Sequence, residues 1–354
     1  MGVQFLELAG IATVAVRDLK VTGGTDWSTG RTGDYDAALL RTDDGLTVIA
    51  RRPRSDAAAL EQRAQAEALE AMTAGVRSRL PFAVPTQLGL VSTRAQQLGV
   101  YSFIPGRTCD EVELLHDSLL VAEIGRAIAA IHALPKSLVT DAGLPSLEPR
   151  EVRDAVEQLV DRADTTGRLP SALASRWGAA VDDPTLWEFQ SSVIHGSLER
   201  NSFVTNGAGV VGVLGWSDLR IGDPAHDMRW VQTLDGAVNR AIIDEYIDAR
   251  GATVDRQLRQ RATLYAELEL ARWLLHGIDS KNAVVVADAE QLLDGLVTRV
   301  RGLGEAELRH VTLPVLDLVE VQELLAEAGT KARHHEAKVP PRISPDLDPL
   351  DDES

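Results

Sequence analysis

Short apolar runs in the first hundred residues predict strands interrupted by one helix. The segments ALLRT (38–42) and LTVIARR (46–52) flank Asp43-Asp44-Gly45, a hairpin connection with glycine at the left-handed position. An alanine- and leucine-rich helix follows and ends near Gly75. The next strand, LGVYSFIPG (98–106), stops at Pro-Gly.

Beyond these strands the apolar positions take a helical period. Two long segments, 118–135 and 256–275, each place four apolar residues on one face. These residues are Leu120, Ile124, Ile128 and Ile131 in the first segment, and Leu264, Leu268, Ala271 and Leu275 in the second. Between the helical segments, SFVT and VVGVLGW are joined by Asn206-Gly207-Ala208-Gly209, which predicts a second hairpin.

The order of these elements predicts an α+β protein of two lobes. A small lobe (1–98) of antiparallel strands plus one helix is followed by a hinge (99–106) and a larger, mostly helical lobe (107–330). The last segment, 331–354, has four prolines and five acids after its final base, and predicts a disordered tail. Two independent α+β domains are the alternative that layout alone leaves open.

Composition narrows the classes of partner. Of 354 residues 44% are hydrophobic, enough for a sizeable core, and the formal net charge is −17, which argues against nucleic acid and against anionic membranes. The single cysteine, Cys109, excludes an intrachain disulfide. We see no secretory signal pattern and no run of about 18 apolar residues, so a cytoplasmic location is expected.

One segment of the second half carries an ordered set of motifs. VIHGSLERNSFVTNGAGVVGVLGWSDLRIGDPAHDM begins with His195-Gly196, continues through the hairpin to Trp216, and ends in Gly-Asp-Pro-x-x-Asp. It resembles the aminoglycoside and macrolide phosphotransferases, relatives of choline kinase and of protein kinases. Over residues 6–300 the resemblance implies a bilobal protein-kinase-like fold, ATP-dependent phosphorylation of a small molecule, and a nucleotide-binding small lobe.

Three positions depart from the pattern that the resemblance implies. The family's catalytic aspartate, the asparagine five residues later and the metal-binding aspartate fall on Ser197, Ser202 and Gly215. A positioned base contributes about 10²–10⁴-fold to rate, and Mg²⁺ is held through carboxylates and substrate phosphates. The sequence therefore predicts a degenerate member without protein ligands for Mg²⁺, which acts as a small-molecule or nucleotide-binding or regulatory module.

Nearby polar residues leave an alternative open. Asn201 is one place before the expected asparagine, Asp218 lies three positions beyond Gly215, and Glu199 is in the loop. If the backbone re-aims these side chains, the chain is an active phosphotransferase on an antibiotic or amino-alcohol. If it does not, Glu199 and Asp218 are surface charges.

The closing motif is interpreted as structural. Asp223 is placed to cap a helical turn that begins at Pro224, where a missing N–H does no harm. The resemblance implies that Asp227 braces the catalytic loop, and that His195 opens this loop.

The small lobe fits the family pattern more loosely. Arg51 lies where the resemblance implies a phosphate-binding lysine, with Arg52 as a rival and Glu67, or else Glu70, as its ion-pair partner. A glycine-rich segment, 23–33, lacks a clear phosphate-binding spacing.

The resemblance assigns the adenine-binding hinge to Tyr101, Ser102 and Phe103, which leaves ATP as the candidate cofactor. A plain buried linker strand is the alternative.

The ligand is predicted only by class. A small molecule, cationic or macrolide-like, fits the resemblance, and Asp235 and Glu267 are candidate contacts for a cation, or else surface acids. The sequence leaves the oligomeric state open.

Overall fold

The small lobe is built on a five-stranded antiparallel sheet in the order β1-β2-β3-β5-β4. The structure is a computed structural model that describes residues 4–27, 34–92, 97–251 and 254–302. The predicted tail and residues 28–33 of the glycine-rich segment lie outside these ranges. The elements of this lobe are α1 (Gln4–Ala15), β1 (Val21–Asp26), β2 (Tyr35–Thr42), β3 (Thr47–Pro53), α2 (Asp56–Ala71), α3 (Ala74–Arg77), β4 (Gln87–Ser92) and β5 (Gln97–Ser102).

The predicted hairpin between β2 and β3 is confirmed. Gly45 has a φ of 81° and donates its amide to the carbonyl of Thr42. This conformation costs glycine little and strains other residues, so the loop sequence sets the register that pairs Ala37 with Arg51.

Helix α1 was missed by the sequence prediction, which gave this lobe a single helix. Its buried Leu8, Ala9 and Ala12 pack on Leu40 and Val48 of the sheet, in a core separate from that of the large lobe. The apolar residues of α1 are spread over most of its circumference, and one of them, Val14, is 79% exposed. Without an amphipathic stripe the segment carries no clear helical period.

The large lobe is mostly helical. Its elements are β6 (Arg107–Thr108), α4 (Glu111–His116), α5 (Ser118–His132), α6 (Ser137–Thr140), α7 (Pro149–Thr165), α8 (Ser171–Asp182), β7 (Ser192–Ile194), β8 (Phe203–Thr205), β9 (Val210–Val213), β10 (Arg220–Gly222), α9 (Gly236–Arg250), α10 (Leu258–Asp279) and α11 (Ala283–Gly302). Both predicted helical faces are confirmed, because the eight apolar residues named for them are all buried. None of the helices in the described ranges has the length and apolar character that a bilayer crossing requires.

Two small antiparallel sheets hold the loops of interest in the large lobe. Strands β8 and β9 form the predicted second hairpin, and β6 pairs with β8. Strand β7 pairs with β10. The loop after β7 is thereby fixed between the hairpin and the Gly-Asp-Pro motif.

The two lobes are joined after β5. This strand runs through Ser102, so residues 99–102 of the predicted hinge lie in the sheet, and the remaining residues, 103–106, lead to β6.

Helices α5 and α9 cross closely at Gly125. A Cβ added there would lie 2.5 Å from the carbonyl oxygen of Ile242 and 2.8 Å from Cβ of Glu245.

We expect Gly125→Ala to lower the free energy of unfolding by about 1–3 kcal/mol because the backbone of one helix must move. Gly178→Ala is the matched control in α8: its Cβ would meet nothing within 4 Å, so helix propensity should raise stability by about 0.5–1 kcal/mol. Urea unfolding measures both, and equal effects would contradict the close crossing.

Candidate active site

The loop after β7 is held by one buried carboxylate. Asp227 accepts hydrogen bonds from the backbone N–H of His195 at 2.7 Å and of Gly196 at 2.8 Å. Asp227 is fully buried. Asp227 thus satisfies two buried backbone amides of the loop.

A chain of buried side chains supports Asp227 from below. His132 of α5 contacts the Asp227 carboxylate through Nε2 at 3.1 Å and the Tyr246 hydroxyl of α9 through Nδ1 at 2.9 Å. Burial by itself raises the pKa of Asp227, but the hydrogen bond from His132 and the fields of nearby histidines together hold the pKa of that carboxyl well below its usual value. The brace therefore carries a negative charge at neutral pH.

Asp223 is fixed by a second buried network. Its carboxylate accepts from the Ala225 amide, as the predicted cap requires, and pairs with both Nε and Nη2 of Arg261. The hydroxyl of Tyr265 donates to the same carboxylate at 2.7 Å. Burial by itself lowers the pKa of Arg261. The carboxylates of Asp223 and Asp255 together outweigh this effect and raise the pKa above its ordinary value. The contacts agree with a structural role for Asp223.

The three positions predicted to have lost their functional groups lie together. The Ser197 hydroxyl donates to the carbonyl of Gly215 at 3.0 Å. The carbonyl of Ser202 accepts from the Leu214 amide at 2.8 Å, while its hydroxyl accepts from the Glu199 amide at 3.1 Å. These side chains and carbonyls bond to neighbouring backbone, so the floor of the site is held by neutral hydrogen bonds.

The proposed substitutes are only partly in place. Glu199 and Asn201 are exposed at the turn before β8, and Glu199 instead forms a capping pair with Ser202. Asp218 lies closer: a Cβ added to Gly196 would be 2.8 Å from Cβ of Asp218. Its carboxylate is 57% exposed and stands 3.8 Å from Nη1 of Arg220.

His195 lies beneath the loop. Its Nε2 contacts the Leu214 carbonyl at 3.0 Å, and its ring packs on Trp216 with centroids 4.6 Å apart. Its Nδ1 is buried and has no hydrogen-bond partner among the residues that the structure describes. Burial lowers the pKa of His195, so the ring is neutral at pH 7 and positions the loop through its backbone amide.

Strand alternation decides between the two candidate arginines. Arg52 points to the outer face, where it pairs with Asp36 of β2 and with Glu7 of α1. Arg51 points to the opposite face, with its guanidinium 3.9 Å from the centroid of the Tyr35 ring. Its Nε has no hydrogen-bond partner within the described ranges. Of the two, only Arg51 shares a face with Tyr101.

The predicted ion pair of Arg51 with Glu67 or Glu70 is not formed. Both glutamates are exposed on α2. The buried polar residues of α2 are Gln62 and Gln65. The amide of Gln62, with its oxygen toward Gly99, bridges the Gly99 amide and the Arg51 carbonyl at 3.3 and 3.2 Å. Helix α2 is rotated so that glutamine faces the sheet.

The predicted hinge residues are occupied by sheet hydrogen bonds. The Ser102 amide donates to the Thr86 carbonyl at 2.9 Å, and the Phe103 amide donates to the Thr47 carbonyl at 3.2 Å. Tyr101 lies within β5, with its ring against Gly99. Ile104 follows Phe103, and its backbone amide has no protein acceptor in the described part of the chain.

Comparison with known proteins identifies this arrangement. Residues 29–265 match the model of the Phosphotransferase enzyme family. The chain belongs to this family. The bilobal kinase-like fold class predicted from the sequence is thereby confirmed.

Similar structures include a macrolide 2'-phosphotransferase type I, which is 27% identical with a TM-score of 0.65 and covers 82% of this chain and 95% of its own. The GDP and kanamycin complex of APH(2")-IIia is 16% identical with a TM-score of 0.65 and covers 82% and 97%. The uncharacterized protein YcbJ of Bacillus subtilis (strain 168) is 25% identical over 242 residues, which is 64% of this chain and 76% of YcbJ. One of these similar structures is thus a complex with GDP and kanamycin.

In this phosphotransferase-family chain the three replaced positions, Ser197, Ser202 and Gly215, carry neither a carboxylate nor an amide that could hold Mg²⁺. The described residues contain no group of three or more His, Cys, Asp or Glu side chains placed to hold a metal ion. The replaced positions offer two serine hydroxyls and a glycine, while Asp227 is committed to the loop amides and Glu199 to a capping pair with Ser202. Asp218 stands 3.8 Å from Nη1 of Arg220. A divalent cation needs formal negative charge or several oxygens converging on it.

One predicted contact for a cationic ligand is wrong. Glu267 is 3% exposed and forms a buried pair with Arg176, and it also accepts from the indole N–H of Trp177. Since a buried carboxylate needs such partners, Glu267 is committed to the core. Asp235 caps α9 through the Ala237 amide and is only half-buried.

Sequence reasoning also missed a basic cluster beside the loop. Arg220 and Arg229 both approach His226, at 3.4 and 3.3 Å from Nδ1. The sequence does show an arginine on either side of the Gly-Asp-Pro-Ala-His-Asp motif, which could have indicated the cluster. Only the fold shows that they meet.

Asp227→Asn should destabilise this phosphotransferase-family protein by about 2–3 kcal/mol at pH 7, because buried amides lose a charged acceptor. Since the native pKa of Asp227 is depressed, the contribution is present above the ordinary value of 3.8 and is lost as the pH falls below it. Urea unfolding of wild type and variant at about pH 7 and pH 3 measures this difference. Asp235→Asn, which keeps a cap, is the control. A pH-independent difference would contradict the charged brace.

Proposed function

We propose that this protein has lost metal-dependent phosphoryl transfer and acts as a small-molecule or nucleotide-binding, regulatory member of the phosphotransferase family. The observation that carries the proposal is the hydrogen bond from Ser197 to the carbonyl of Gly215. It joins two positions where the resemblance implies carboxylates, and it supplies neither a base nor a metal ligand.

The energetics support a loss of activity rather than a weak version of it. Phosphoryl transfer depends almost wholly on positioning and on neutralising charge at the phosphates. A missing base alone costs about 10²–10⁴-fold. Ser202 adds to this, because its hydroxyl is engaged by the Glu199 amide. Together these changes remove both the base and the metal.

Nucleotide binding without transfer is compatible with the small lobe. Arg51 presents a guanidinium with an unpaired Nε on the inner face of the sheet. The Ile104 amide is available for a base edge, two residues beyond the end of β5. We propose ATP as the candidate nucleotide, bound through these two groups.

The test is calorimetry with ATP, with and without Mg²⁺, on wild type and on Ser197→Asp/Ser202→Asn/Gly215→Asp. We expect wild type to show no Mg²⁺-dependent gain in affinity and the triple variant to acquire one. Gly215 has a φ of 87° and its Cβ would meet only His195, at 3.8 Å. Aspartate tolerates this conformation better than most residues.

The matched control places the same groups on the surface, as Ser171→Asp/Ser78→Asn/Gly207→Asp. Gly207 has a similar φ of 81° with nothing within 4 Å of an added Cβ. The control should bind ATP as wild type does. Mg²⁺-dependent binding by wild type would refute the proposal.

An active phosphotransferase is the second candidate, favoured by the position of Asp218 against Gly196. In that case Asp218 takes the role of metal ligand and Glu199 that of base, on an antibiotic or amino-alcohol acceptor.

The two candidates differ in turnover. On our proposal, Mg²⁺-dependent ATP turnover by wild type equals that of Glu199→Ala/Asp218→Ala, because neither acid serves chemistry. A coupled ADP-release assay measures it. Turnover by wild type clearly above that of the double variant, up to the about 10²–10⁴-fold that a general base contributes, would establish the second candidate.

A further inference from the structure

Two arginines converge on one histidine beside the catalytic-type loop. Arg220 of β10 places Nη2 3.4 Å from Nδ1 of His226, and Arg229 places Nη1 3.3 Å from the same atom. Nη1 of Arg229 also donates to the His226 carbonyl at 3.0 Å. Arg220 and Arg229 are called the arginine pair below.

His226 keeps the arginine pair in place without adding charge. A guanidinium has only donors, so Nδ1 must accept and the imidazole must be neutral with its proton on Nε2. Burial, then Arg229 and Arg220, lower the pKa of His226 in agreement with this geometry. The ring also packs edge-on to Tyr265. The pair is thus held together despite its like charges.

The arginine pair lies directly against the loop. A Cβ added to Gly196 would be 2.4 Å from Nη1 of Arg220 and 2.2 Å from the Asp218 carbonyl. Gly196 immediately precedes Ser197, the position of the missing base. A cation therefore stands beside the place where the resemblance implies an anion.

Local acids do not fully neutralise these cations. Glu269 contacts Nε of Arg229 at 3.4 Å and also pairs with Arg272. Asp218 approaches Arg220 only to 3.8 Å and is 57% exposed. Counting ion pairs within 4 Å, three guanidiniums thus pair with two carboxylates. Nη1 of Arg220 donates to the Asp218 carbonyl at 3.1 Å, and its Nε has no acceptor in the described part of the chain.

We propose that the arginine pair binds the phosphate group of a small ligand directly, without a metal ion. This deepens the proposed function and rests on it: the cleft recognises an anionic ligand rather than a cationic one. Arginine suits phosphate because its planar fork donates two parallel hydrogen bonds. The phosphate belongs either to a nucleotide or to a phosphorylated small molecule, and it competes with Asp218 for Arg220.

The experiment is calorimetry in EDTA at low ionic strength, with pyrophosphate, ATP and citrate as probes. Wild type should bind pyrophosphate, and Arg220→Gln should weaken it by about 10–100-fold, as expected for loss of hydrogen bonds to a charged group. Arg229→Gln should weaken it less. Asp218→Asn should tighten it, because a competing carboxylate is removed.

The control is Arg162→Gln, which removes an exposed arginine paired with Asp279 far from the loop in sequence. It should leave binding unchanged. If Arg220→Gln fails to fold by circular dichroism, Arg220→Lys and Asp218→Asn decide: the lysine variant keeps charge but loses the fork, and should bind more weakly than wild type.

The outcomes separate the ligand sources and the two proposals. If ATP binds much more tightly than pyrophosphate, the ligand is a nucleotide. If the two affinities are equal, the site recognises the phosphate group alone, as in a phosphorylated small molecule. Citrate as tight as pyrophosphate, no binding in EDTA, or unchanged binding by Arg220→Gln would overturn the inference. Mg²⁺-dependent ATP turnover by wild type would refute the proposed function while leaving metal-free pyrophosphate binding through Arg220 intact.

Discussion

The negative charge of Asp227, buried under the loop, is the interaction on which the site depends. The Asp227 carboxylate accepts hydrogen bonds from two consecutive backbone amides and from the imidazole of His132. One side chain therefore fixes the direction of the chain from His195 to Ser197. A buried charge survives only when its partners compensate its desolvation. Ser197 stands where the resemblance implies an aspartate, yet the contacts of Asp227 with the loop are formed, so the path of the loop does not depend on that aspartate.

Local sequence predicted those parts of the fold that local physics decides. The glycine of the β2–β3 connection, the apolar faces of α5 and α10, and the capping role of Asp223 follow from turn conformation, periodicity and unpaired helix-end amides. The order of strands and helices predicted the two lobes, and the resemblance pointed to the three replaced positions.

The directions in which individual side chains point could not be predicted from the sequence. Arg51 and Arg52 are adjacent, and only the pairing register decides which one faces inward. Likewise the rotation of α2, set by packing, turns Gln62 and not Glu67 toward the sheet. Glu267 is on a helix with a partner, Arg176, ninety-one residues away, so its burial has no local signal.

Neutral contacts at the floor of the cleft have a further consequence. The Ser197 hydroxyl and the Leu214 amide tie the loop to the hairpin through carbonyl acceptors. An arrangement of this kind needs no cation to assemble, so it exists before any ligand arrives. Preorganised sites forfeit less conformational entropy on association. On the proposed function, a ligand would therefore meet a cleft whose backbone is already fixed by hydrogen bonds within the protein.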